Sequence, residues 1–150
     1  MIESKESGAM ESKPDSKQAR EATFRGNELA ARLLGYSVRI VRVVENMPKT
    51  RTGNHVAAQL LRAGTSPLSN HGEAQAAESM LDFIHKLRIC LKELRETQRW
   101  LLLAKEVPLI RPPTRLDGLI QETDELIRIF VSSIQTSRAK IAKKRKQPEP

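Results

Sequence analysis

The side chains that could do chemistry in this sequence are few. Three histidines (His55, His71 and His85) fall on three separate turns, without a His-Glu-x-x-His pair or a paired Glu-x-x-His ligand set. His71-Gly72-Glu73 offers two metal ligands where a site between helices needs more, so surface or hydrogen-bonded imidazoles are expected, and no metal. The single cysteine, Cys90, sits among apolar residues and reads as a buried, inert thiol. One cysteine also excludes an intramolecular disulfide and any multi-cysteine zinc site. Glycines are scattered and build no phosphate-cradling loop. The acidic residues gather late in the chain, where a solvated face or interhelical ion pairs account for them. These observations lead to the expectation of a non-enzymatic protein without a cofactor.

The basic residues show more order. Arg88, Lys92, Arg95 and Arg99 recur at steps of 4, 3 and 4, and Arg32, Arg39 and Arg42 at steps of 7 and 3, each set forming one helical stripe. Such stripes are able to follow a phosphate backbone. Glu93 and Glu96 stand beside Lys92 and Arg95, so a mixed face with ion pairing inside or between subunits is the competing reading. The 150 residues hold 26 Lys+Arg and 18 Asp+Glu, a net charge of +8. Residues 1–25 are balanced, residues 26–137 carry +3, and the last thirteen residues carry +5 through Arg138, Lys140, Lys143, Lys144, Arg145 and Lys146 against Glu149. Basic ends of this kind contact nucleic acid, and the same run also suits a solubilising terminus. Only five aromatics occur (Phe24, Tyr36, Phe83, Trp100 and Phe130), so stacking platforms for single-stranded bases are lacking and backbone contact is favoured over base readout.

The elements that must carry these residues are helical. From Asn27, read as an N-cap, Leu29, Leu33, Tyr36, Ile40, Val43 and Met47 trace one side of a first helix that Pro48 ends. A second, capped by Thr52 or Asn54, turns Val56, Leu60 and Ala63 inward with Leu68 at its edge. Pro67 is expected to kink or loosen it, and Gly72 to mark a further weak point or a turn. Ser79 and Asp82 form a capping signature for a third helix with Phe83, Leu87, Cys90, Leu94, Leu101 and Ala104 along one side, widened by Ile84, Leu91 and Leu102. Pro108 and Pro112-Pro113 close it, and Thr114 with Asp117 repeats the capping signature. A fourth helix then buries Leu116, Leu119, Thr123, Leu126, Phe130 and Ile134, with Ile141 at its far end. Four such helices with short links pack as an all-α, antiparallel up-down four-helix bundle. The expected organisation is a disordered segment at 1–25, the bundle at 26–141 and a basic flexible tail at 142–150. No apolar run approaches the roughly 20 residues needed to cross a bilayer, and residues 1–25 lack a secretory signal, so a cytoplasmic protein is expected.

A more specific pattern runs through Gln59-Leu60-Leu61-Arg62-Ala63-Gly64-Thr65-Ser66, Ser69-Asn70 and Glu73-Ala74. It continues in Glu78-Ser79, Asp82-Phe83-Ile84-His85-Lys86, Leu91-Lys92-Glu93, Glu96-Thr97 and Trp100-Leu101. Over roughly residues 27–140 the chain resembles the bacterial four-helix-bundle proteins of the 23S ribosomal RNA intervening-sequence family. Pro67-Leu68 departs from that pattern, where the family carries small or β-branched residues or places the proline one position later. The resemblance implies an up-down bundle, ring-like homopentamers and genes lying inside ribosomal RNA insertions. It also implies kinship with the accessory variability proteins of diversity-generating retroelements, which bind nucleic acid together with a reverse transcriptase. It supplies no catalytic residue. Arg62, Asn70, Glu73, Lys86, Glu93 and Glu96, polar positions within the pattern, read as an interhelical or intersubunit network that fixes register, with a ligand-binding cluster as the alternative. The functional expectation is a homo-oligomer, a pentamer by the resemblance, that binds RNA or DNA through its basic surface and tail. A place in a ribonucleoprotein or beside a reverse transcriptase follows from the same resemblance. The competing class is a protein-interaction scaffold that never touches nucleic acid.

Overall fold

Hydrophobic periodicity and end-capping together set the helix positions in the computed structural model, which describes residues 16–147. Four helices follow one another: α1 (Ser16–Glu45), α2 (Arg51–Gln75), α3 (Met80–Glu106) and α4 (Asp117–Arg145). Each packs on its neighbour in sequence, α2 on α3 most extensively, while α1 and α4 meet only narrowly. Short links between neighbours impose this up-down order, because adjacent antiparallel helices bury their apolar stripes without a long crossover. The bundle is all-α as expected.

Local signals account for most of the boundaries. The hydroxyl of Thr50 accepts a hydrogen bond from the Gly53 N–H at 3.1 Å and starts α2, two residues before the expected cap. Ser79 accepts from the Asp82 N–H at 3.1 Å and starts α3, as the capping signature indicates. At α4 the expectation fails: a 3-10 turn over Pro113–Leu116 leads straight into the helix, and no side chain caps it.

Two expectations about order are corrected. The segment assigned to disorder is helical from Ser16 onward, so α1 begins well before Asn27. Lys17-Gln18-Ala19-Arg20-Glu21-Ala22 consists of strong helix formers, and extending an existing helix needs no apolar stripe because nucleation has already occurred downstream. Likewise α4 runs to Arg145, so the basic segment from 142 on is helical over its first residues. The parts of the expected disordered segment and tail at 1–15 and 148–150 lie outside the described residues.

α2 runs on as one helix through Pro67. Proline in a helix interior removes one N–H and costs on the order of 3 kcal/mol where nothing compensates. Here its ring is buried in the bundle, and its carbonyl accepts the Cys90 thiol from α3 at 3.7 Å. Tertiary packing on both sides holds the helix through the defect. Consequently the inward seam of α2 continues as Val56, Leu60, Ala63, Gly64, Pro67, His71 and Ala74, and Leu68 is left partly exposed.

The core is aliphatic apart from Tyr36 and Phe130, with Leu33, Ile40, Leu60, Leu94, Leu101, Leu116 and Leu126 fully buried. Most of the residues assigned inward on the first, third and fourth helices are there; Leu29, Val43, Phe83, Leu91 and Ile141 are only partly buried, and Leu102 is exposed, because it lies one step round the helix from the buried Leu101. Gly64 lets α1 and α2 approach closely, since a β-carbon at that position would stand 2.8 Å from Ile40 Cγ1 and Cγ2.

Candidate nucleic-acid interface

The third helix is held by its buried face. Ile84, Leu87, Cys90, Leu94, Thr97, Leu101 and Ala104 lock it against the bundle, which turns the opposite side outward. Arg88, Lys92, Arg95 and Arg99 lie along that outer side, all exposed. From the first to the last the stripe extends about 16 Å at 1.5 Å per residue.

The acidic neighbours are drawn away from it. Arg62 of α2 donates to Glu93 at 3.2 Å and to Glu96, and Trp100 Nε1 adds a bond to Glu96 at 3.2 Å. Two turns from that cluster, Lys86 Nζ of α3 pairs with Glu73 of α2 at 2.7 Å. None of the ion pairs among the described residues engages Arg88, Lys92, Arg95 or Arg99. Of the six polar residues in the pattern, Arg62, Glu93, Glu96, Glu73 and Lys86 thus bridge α2 to α3. Asn70 stays within its own helix, donating to the Ser66 carbonyl at 3.1 Å and its hydroxyl at 2.9 Å.

The stripe on α1 does not survive as one surface. Arg32 is engaged by α4: its Nε and Nη2 reach the two carboxylate oxygens of Glu122 at 2.6 and 2.8 Å, and Nη2 reaches Glu125 at 2.5 Å. A bidentate pair of this geometry strengthens both charges. It raises the Arg32 guanidinium above its ordinary pKa and holds the Glu122 carboxyl below the usual carboxylate range, the shared hydrogen bonds being the main cause. Arg32 therefore serves the seam between α1 and α4, where Tyr36 and Thr123 also meet in a buried hydrogen bond of 2.7 Å. Arg39 and Arg42 remain exposed. Arg39 lies beside Gly118 in the first turn of α4, at the opposite end of that helix from the basic residues.

Those residues form a cationic helix end. Lys143, Lys144 and Arg145 occupy the last turn of α4 with Lys146 at its C-cap, where positive charge offsets the negative pole of the helix. Arg138 and Lys140 stand in the preceding turns, both exposed. Because α3 and α4 are antiparallel, Arg138 and Arg145 converge with Arg88 on one groove. Arg99 is at the far end of α3.

The remaining candidates for chemistry are inert or isolated. Cys90 is fully buried, and burial pushes its thiol up to about 12. His71 departs from the expected surface or hydrogen-bonded imidazole: it is buried, and its Nδ1 has no hydrogen-bond partner. It packs edge-on against Phe130 with ring centroids 6.3 Å apart, and desolvation lowers its pKa. Among the described residues no cluster of His, Cys, Asp and Glu is able to hold a metal ion, and no helix is long and apolar enough to cross a membrane.

Comparison with known proteins bears on this arrangement. The sequence model of the 23S rRNA-intervening sequence protein family matches residues 28–132, from the middle of α1 well into α4. The chain belongs to that family. A solved structure of the S23 ribosomal protein family, from Bacteroides thetaiotaomicron and itself described as of unknown function, is similar to it at 32% identity with a TM-score of 0.68. The similarity covers 73% of this chain and 97% of that one. No curated protein matches. The 23S rRNA-intervening sequence match takes in the α3 stripe and the Arg62 cluster and stops before the basic end of α4.

Proposed function

We propose that this 23S rRNA-intervening sequence protein is a non-enzymatic, homo-oligomeric bundle that grips the backbone of RNA or DNA. Arg88, Lys92, Arg95 and Arg99 form the principal contact, and the basic end of α4 extends it. One observation carries the reading: Glu93 and Glu96, which would neutralise the stripe, are turned aside to Arg62, leaving four cations in a row without a carboxylate partner among the described residues. Such a row suits phosphate contacts and carries no aromatic side chain for base stacking, so binding is electrostatic and tolerant of sequence. Self-association is supported by Leu34, Val38 and Val41, spaced 4 and 3 along α1 and each 39% exposed or more. By the family resemblance the assembly is a pentamer, and an accessory role in a ribonucleoprotein or beside a retroelement reverse transcriptase follows from the same source.

The test is binding of a structured RNA and of duplex DNA, followed by fluorescence anisotropy across a salt series. Affinity should fall steeply with salt. Replacing Arg88, Lys92, Arg95 and Arg99 together by Gln should weaken it and flatten the log–log salt slope on duplex by about 3.6, since each duplex phosphate neutralised by a cation adds roughly 0.9 to that slope. Absent or salt-independent binding to both nucleic acids at low salt refutes the reading. A protein partner retained after nuclease treatment would favour the scaffold instead.

A further inference from the structure

Where α3 begins and α4 ends, the two helices enclose a groove of about 350 Å³. Leu81, Ile84, His85 and Arg88 line one wall and Arg138, Ile141, Ala142 and Arg145 the other. Both sets follow the same i, i+3, i+4, i+7 spacing, so the groove runs along the helices for about 10 Å. Its floor is apolar. Ile84 is buried and Ile141 partly so, while Leu81 lies 63% exposed, the most open leucine of α3. Its rim is cationic. Arg88, Arg138 and Arg145 have no carboxylate partner among the described ion pairs.

We infer that this groove docks an acidic amphipathic helix of a partner protein. Leucine-sized side chains of the partner would cover Leu81 and Ile141, and its flanking carboxylates would meet the three guanidinium groups. Two features select this occupant. A phosphate backbone gains nothing from covering an exposed leucine, whereas an amphipathic helix laid in a groove is anchored by apolar residues at this spacing. Planar guanidinium groups on both walls match carboxylates in bidentate geometry, and repel a basic partner. The inference goes beyond the nucleic-acid reading. Its three guanidinium groups are shared with that reading, Arg88 through the α3 stripe and Arg138 and Arg145 through the basic end of α4, and the apolar floor of Leu81, Ile84 and Ile141 belongs to the groove alone.

The test uses the full chain and a fluorescein-labelled synthetic helix with leucines at i, i+3 and i+7 flanked by glutamates. Fluorescence anisotropy should show saturable binding. Leu81→Ser should weaken it roughly ten- to a hundredfold, the effect expected when the burial of one leucine side chain is forfeited. The paired variant Arg138→Gln/Arg145→Gln should also weaken it, and a peptide with Gln in place of Glu should bind poorly. Leu81 is exposed, so Leu81→Ser should keep its helical circular dichroism, and its affinity for a labelled RNA should not change. Failure of RNA binding altogether would overturn the nucleic-acid proposal and leave this one standing. This one is overturned by absent saturable peptide binding, by equal binding of the Gln peptide, or by Leu81→Ser losing RNA and peptide alike, which would make the groove a nucleic-acid site.

Discussion

Gly64 is where α1 and α2 come closest, and replacing it by alanine sets two opposing effects against each other. Alanine is the better helix former by about 1 kcal/mol. The added β-carbon, however, would stand 2.8 Å from Ile40 Cγ1 and Cγ2 and 2.9 Å from Cδ1, where carbon atoms normally approach no closer than about 3.5–4.0 Å. Ile40 is fully buried, and a β-branched residue in a helix has one strongly preferred rotamer, so it cannot swing away. Overpacking of this kind costs about 1–3 kcal/mol, and with three atoms involved the upper part of that range applies. The net expectation for Gly64→Ala is a loss of roughly 1–2 kcal/mol, which lowers the melting temperature by about 2–8 °C in a chain of this size. The sign should reverse in an Ile40→Ala background, where all three obstructing atoms are gone and the new methyl fills part of the cavity. Thermal unfolding of the four proteins of this double-mutant cycle, at one fixed protein concentration, measures the coupling. A Gly64→Ala protein more stable than its parent, or effects that simply add, would refute close packing of Gly64 on Ile40.

Two further outcomes follow from the polar side chains. His71 is buried with its pKa lowered by desolvation, so the unfolded chain binds its proton more readily; stability is whole above the ordinary value of 6.5 and falls as pH drops below it. Urea midpoints should therefore decline between about pH 7.5 and 5, by up to 1.4 kcal/mol per pH unit, and His71→Leu should flatten that decline; an unchanged profile in the variant would contradict the burial. Arg62→Gln should cost less than about 1 kcal/mol in stability, because Arg62 is half exposed, yet weaken RNA affinity by freeing Glu93 and Glu96 beside the α3 stripe; unchanged affinity would detach that cluster from binding.

The salt and Arg62 experiments bear on one idea: the polar residues that bridge α2 and α3 act by holding acidic groups away from the cations. In that view Arg62 is a positioning residue and the α3 stripe makes the contact. The tight α2–α3 packing keeps that arrangement rigid, and the groove at the other end of α3 is available to a second kind of partner.

Much of the architecture is legible in the sequence. Leu87, Cys90, Leu94, Leu101 and Ala104 on α3, and Leu119, Thr123, Leu126, Phe130 and Ile134 on α4, are placed inward by periodicity alone, since a 3.6-residue repeat determines which side of a helix can be buried. Ser79 announces its helix because a capping hydroxyl acts within three residues. The order of the basic residues on α3 is equally local. What tertiary structure decides is the partners. Pro67 carries a local penalty that packing from neighbouring helices offsets, and an inward seam followed only as far as Leu68 misses its continuation to Ala74 and with it the burial of His71. Arg32 has the same spacing as its stripe-mates, and only the approach of Glu122, ninety residues away, takes it out of the surface. The same holds for Glu93 and Glu96, which look in sequence like neutralising neighbours of Lys92 and Arg95 and in space belong to Arg62. Periodicity is a property of one helix and can be read from it. Charge pairing and groove formation depend on which helix lies alongside, and only the folded bundle sets that.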